Sequence, residues 1–142
     1  MNLSENFTYE ELTHTDHREF DNTPNETEMA NLVRLANFLE QVKEMLGGKP
    51  IMINSAFRSE EVNRAVGSKD TSQHRRGCAA DLRVPDMTPD EVVTAIINSG
   101  LPYDQCIREF DRWTHVSIPN EEGHEPRKMA LIIDKSGTRA FA

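Results

Sequence analysis

Ser72-Gln73-His74-Arg75-Arg76-Gly77-Cys78-Ala79-Ala80-Asp81-Leu82-Arg83-Val84 is the stretch on which the reading of this chain turns. Its second half alternates as a strand does, with Ala80, Leu82 and Val84 toward a core and Ala79, Asp81 and Arg83 on the other face. Pro85 closes it. His74 stands in a polar turn before Gly77, and Asp81 stands mid-strand among small residues. A carboxylate buried there is costly unless it is paired or bound to a cation. Arg58, Arg75 and Arg83 are candidate partners, and a metal ion is the alternative. Downstream, Trp113-Thr114-His115-Val116-Ser117 offers a second imidazole. His74, Asp81 and His115 together make a full set of protein ligands for a catalytic Zn2+, with the fourth tetrahedral position left open.

The next step outward is a hairpin. Gln105 to Phe110 and Trp113 to Ile118 are apolar runs flanking Asp111-Arg112. Pairing Glu109 with Trp113 leaves Phe110-Asp111-Arg112 as the loop and sets Ile107 opposite His115. Glu109, Trp113 and His115 then share a face, because strand faces alternate with period two. Glu109 becomes a diagonal neighbour of His115. A carboxylate in that position is the general-base arrangement of a metallohydrolase. A cross-strand arginine partner is the plainer reading of Glu109, and a one-residue slip in register would undo the catalytic one.

The remaining segments read as scaffold. Thr8 and Glu11 have capping-box spacing for a short helix. Met29, Leu32, Val33, Ala36, Leu39, Val42 and Leu46 recur at the three-and-four spacing of an amphipathic helix from about Glu26, ended by Gly47-Gly48. Pro50 to Ser55 reads as a short buried strand. Ser59 is an N-cap for a helix that stops at Gly67. Thr88-Pro89-Asp90-Glu91 starts another, which runs to Gly100. Pro119 to Arg127 is loop, Met129 to Asp134 a last strand, and the rest a polar tail. His14 and His17 read as solvated side chains. The class is α+β, a small, mainly antiparallel sheet with flanking helices, in one domain spanning 1–142.

Composition narrows the function. A formal charge of −8 with no Lys/Arg block argues against nucleic acid as a partner. No run approaches the roughly 20 apolar residues of a transmembrane segment. The N-terminus is polar and shows no signal peptide, so synthesis in the cytoplasm is expected. Cys78 and Cys106 sit in apolar runs and are expected as buried free thiols, with a disulfide the alternative.

Ser55-Ala56-Phe57-Arg58-Ser59, Glu61 to Gly67, Thr71-Ser72-Gln73-His74 through Ala79-Ala80-Asp81, and Trp113-Thr114-His115-Val116-Ser117 resemble the zinc D-Ala-D-Ala peptidases. That family shares its fold with the hedgehog signalling domain. The pattern Ser-x-His-x-x-Gly-x-Ala-x-Asp with a later Trp-x-His is met, and the resemblance covers roughly residues 1 to 118. It implies a hedgehog/DD-peptidase-like fold and a peptidase cutting bonds such as D-Ala-D-Ala or L-Ala-D-Glu in peptidoglycan stem peptides. It also implies Zn2+ held by His74, Asp81 and His115, with Glu109 as base. Arg58 would clamp a substrate carboxylate, and Ser72 would be a supporting polar contact. Ala56-Phe57 departs from the frequent Gly-Tyr, and Cys78 stands where a polar residue is frequent. Some branches place the base three positions before the last histidine. Arg112 stands there, so Glu109, or Asp111 in its place, must serve. A monomer acting on the cell wall after release, or carried on a phage particle, is the expectation. A non-catalytic zinc-containing binding or virion module of the same fold is the alternative.

Overall fold

The computed structural model describes residues 1–141. Helix α1 is Tyr9–Thr13 and α2 is Glu26–Met45. Strand β1 is Met52–Ser55, α3 is Glu60–Ala65, and a 3₁₀ turn follows at Gln73–Arg76. Then come β2, Ala79–Arg83; α4, Pro89–Ser99; β3, Gln105–Glu109; β4, Trp113–Ser117; β5, Met129–Asp134; and β6, Gly137–Ala140. The class is α+β, as expected. Helix starts follow local chemistry: Thr8, Asn25 and Thr88 each accept from a backbone N–H while Glu11, Glu28 and Glu91 reach back, closing three capping boxes.

The six strands form one sheet in the order β1-β2-β4-β3-β5-β6. All neighbours are antiparallel except β3 and β5, which run parallel. The hairpin register is the one the sequence implied, with Glu109 opposite Trp113 and Ile107 opposite His115. Phe110 and Asp111 turn the corner at positive φ, 54° and 56°.

The sheet has two different faces. Ala80 and Leu82 of β2, Val116 of β4 and Cys106 of β3 join Leu32, Leu35, Leu39 and Val42 of α2 and Val92, Val93 and Ile96 of α4 in one core. Burying each such large side chain is worth about 1.5–3 kcal/mol. The alternate residues point the other way. Asp81 pairs with His115, His115 with Ile107, and Ile107 with Leu131, so the four lie in one row across four strands. No helix among the described residues is long and apolar enough to cross a membrane.

Two expectations are corrected. β1 is not buried: its residues are exposed and half-buried in alternation because it forms the sheet edge, and Met52 is half exposed. The supposed polar tail contains β6, which pairs with β5 through a turn at Asp134–Gly137. Cys78 and Cys106 are both buried and unpaired, and burial pushes the Cys106 thiol up to about 12.

Candidate metal centre

Three elements converge on the open face of the sheet. The 3₁₀ turn supplies His74, β2 supplies Asp81 and β4 supplies His115, and all three are buried. Ser72 caps the turn, its Oγ accepting from the His74 backbone N–H at 3.2 Å. Gly77 ends it at φ +80°, and a Cβ there would stand 2.8 Å from the Glu28 carbonyl oxygen, so the turn seats against α2 only because residue 77 has no side chain.

His74 Nδ1 lies 2.7 Å from the Ala56 carbonyl oxygen. A carbonyl cannot donate, so Nδ1 carries the proton and Nε2 is left with a lone pair. That Nε2 faces Asp81 Oδ1 at 3.3 Å. Two acceptors this close need a proton or a cation between them. Burial opposes the proton, holding the His74 pKa below its ordinary value against the pull of Asp81. His115 Nδ1 meets the same carboxylate oxygen at 2.9 Å. One candidate ligand atom from each residue lies within 4.8 Å of the others. Tetrahedral zinc with bonds near 2.0–2.1 Å sets its donors about 3.3 Å apart, so the cluster fits such an ion with shifts of a few tenths of an ångström at the closest pair. Burial works against the charged form of Asp81, but positive charge at the His74 position, which a bound cation would equally supply, and hydrogen bonding from His115 hold the carboxyl well below the usual range.

Glu109 is at the end of β3, and its Oε1 is 3.9 Å from His115 Nδ1. Burial first, and then the charge of Asp81, raise its pKa, with His115 and Arg58 partly offsetting them. The Trp113 indole lies beside it and also offsets the rise, yet its buried N–H closes no hydrogen bond of normal geometry. Arg58 is largely buried and reaches Asp81 Oδ2 at 3.4 Å through Nη2 and Ser55 Oγ at 3.1 Å through Nε. A register shift between Ile53 and Ser55 sets Ser55 opposite Asp81. Of the three arginines weighed as partners of Asp81, Arg58 is the one that meets it; Arg75 pairs with Glu28 and Arg83 with Asn54. Asp111 is exposed and turned to Arg108, away from this centre.

A cleft of about 610 Å³ opens over the centre and brings together Arg58, Ser72, His74, Asp81, Glu109 and His115. It also contains residues that sequence reasoning missed: Lys69, Gln105, Arg127, Leu131 and Ile133. Leu131 and Ile133 lie in the apolar run Met129 to Asp134 that reads as a strand, and the period of two puts them on one face. Arg127 sits in a loop and carried no such signal.

A compact His-Asp-His donor set with a carboxylate of raised pKa beside it, in an open cleft, is the layout of a mononuclear metal hydrolase. The chain belongs to the Peptidase M15 family, whose sequence profile matches residues 5–117. It is also 43% identical over 44 residues to the zinc D-Ala-D-Ala carboxypeptidase of Streptomyces albus G. That match covers 31% of this chain and 17% of the Streptomyces protein.

Proposed function

We propose that this protein is a zinc peptidase that hydrolyses a peptide bond in peptidoglycan stem peptides, built on a hedgehog/DD-peptidase-like fold. The observation that carries this is the pairing of the His74–Asp81–His115 donor set with the Glu109 carboxylate, 3.9 Å from His115 Nδ1. Family membership and the name of the Streptomyces relative support zinc as the ion and stem peptides as the substrate.

His74 Nε2, an Asp81 oxygen and His115 Nδ1 would hold the ion. A bound zinc supplies Lewis acidity toward a scissile carbonyl and toward an attacking water. Glu109 accepts the proton of that water and passes it to the leaving nitrogen, a role its raised pKa suits. Arg58 spends Nε and Nη2 on Ser55 and Asp81, so Nη1 is the nitrogen with which it would meet a substrate carboxylate. Ser72 caps the turn through its Oγ and also lines the cleft, where its hydroxyl would be a supporting polar contact for the substrate. A phage origin, with action on the wall after release or from the virion, belongs to the same proposal and rests on the resemblance alone.

Incubating the purified, zinc-loaded chain with muropeptides and weighing the products by mass spectrometry tests the reading. Loss of a terminal D-Ala or a cut after L-Ala supports it. Intact muropeptides beside a protein that holds zinc would make this a binding module.

A further inference from the structure

Residues 118–141 lie outside the stretch that the family profile matches, yet they complete the cleft. β5 lays Leu131 and Ile133 beside Ile107 and Glu109. The segment before β5 brings in Arg127. Its place along the cleft follows from the register: Gln105 pairs with Met129, and Ile107 lies opposite His115. Gln105 is therefore about 7 Å along β3 from the level of the metal centre, and Glu109 is about as far in the other direction. Arg127, just ahead of Met129, marks the end away from Glu109.

Arg127 is held in place before any ligand arrives. Its backbone N–H donates to Asp104 Oδ1 at 2.9 Å, and its Nε and Nη2 donate to Oδ2 at 3.0 and 2.6 Å. Asp104 is itself 3% exposed and accepts from Gln73 Nε2 at 3.1 Å, tying the clasp to the turn that carries His74. The Arg127 side chain is nevertheless 52% exposed, and its Nη1 forms no hydrogen bond among the described residues. A guanidinium fork matches a carboxylate, and a fork already fixed loses less freedom when it binds. Asp104 offsets the charge of Arg127, so the contact would be directional hydrogen bonding. Net positive charge comes from Lys69, exposed in the cleft wall and without an ion pair among the described residues. These cations face the cleft of a chain whose formal charge is −8.

We propose that Arg127 selects peptides carrying a second carboxylate, outside the scissile bond, at the end of the cleft opposite Glu109. The inference rests on the peptidase reading above. It makes Arg127 a specificity-determining residue with no part in the bond cleavage.

The test compares two synthetic stem peptides that differ only in whether the carboxylate of one acidic residue is free or amidated, using the zinc-loaded full chain. The wild type is expected to show a KM about tenfold or more lower for the free acid, with similar kcat, the scale of a charge-assisted hydrogen bond. Arg127→Ala is expected to erase that preference by raising KM on the acid alone. Arg127→Lys guards against a folding artefact. Its ammonium can neutralise Asp104, keeping the melting temperature, but it has no second fork edge, so the preference should still fall. Equal wild-type KM for the two peptides overturns the proposal. So does an Arg127→Lys variant with unchanged preference, or a loss in kcat shared by both peptides. Cleavage without preference defeats this inference alone, whereas cleavage of neither peptide by a zinc-holding wild type defeats the peptidase reading and this inference with it.

Discussion

Glu109 reaches the metal centre through the period of a strand. It is two residues from Ile107, whose cross-strand partner is His115, so the carboxylate falls on the ligand face one diagonal step away. Glu109→Gln is nearly isosteric and keeps a hydrogen-bonding oxygen, but an amide cannot take the proton. The variant is expected to fold, retain zinc and lose about 10²- to 10⁴-fold in turnover. Stopped assays on a stem peptide, with zinc content measured on the same samples, check this. Loss of zinc would instead make Glu109 a ligand. For Arg58 the comparison is with lysine: a point charge cannot span Ser55, Asp81 and a substrate carboxylate at once. Arg58→Lys is therefore expected to lose catalytic efficiency on a free stem peptide, and kinetics equal to wild type would remove Arg58 from the site. Phe57, where tyrosine is frequent among the proteins this chain resembles, is 1% exposed and packs in the core, so it brings no hydroxyl to Arg58.

At the scale of elements, the turn bearing His74 depends on its seat against α2. Gly77→Ala would place a methyl 2.8 Å from the Glu28 carbonyl oxygen and 3.2 Å from Leu32 Cγ, at a φ that side chains rarely adopt. Overpacking of this kind costs about 1–3 kcal/mol, and the positive φ adds roughly 1 more. A lowered denaturation midpoint is expected, together with weakened zinc retention because His74 moves with the turn. A variant as stable as wild type and fully loaded would show that the turn has slack. The elements that were legible in the sequence are those with local chemistry: the capping boxes at Thr8 and Thr88, the α2 stripe, and the hairpin around Asp111-Arg112. The misses have physical causes. β6 is exposed throughout and is a strand only because β5 is beside it, so it has no apolar alternation to read. β1 looked buried because Ile51-Met52-Ile53 is apolar, but it is an edge strand. The Asp104–Arg127 clasp joins residues 23 apart, a contact no periodicity announces.

For the whole molecule, the sheet divides structure from chemistry. One face is packed by α2 and α4, and the other carries the donor row under an open cleft. An ion bound to the folded chain alone should also stabilise it. At a free zinc concentration 100 times the dissociation constant the gain is about 2.7 kcal/mol, or on the order of 5–10 °C in melting temperature for a chain of this size. Chelation should remove that increment and re-addition restore it, as a thermal scan would read. Everything proposed for the site depends on whether His74, Asp81 and His115 hold the ion together. The direct measurement is zinc per chain by elemental analysis after gentle purification and zinc soaking, for the wild type, His74→Ala and Asp81→Ala. About one zinc per wild-type chain is expected, with most of it lost in each variant. A folded wild type that takes up no zinc, or variants that keep it, would contradict the metal centre described here.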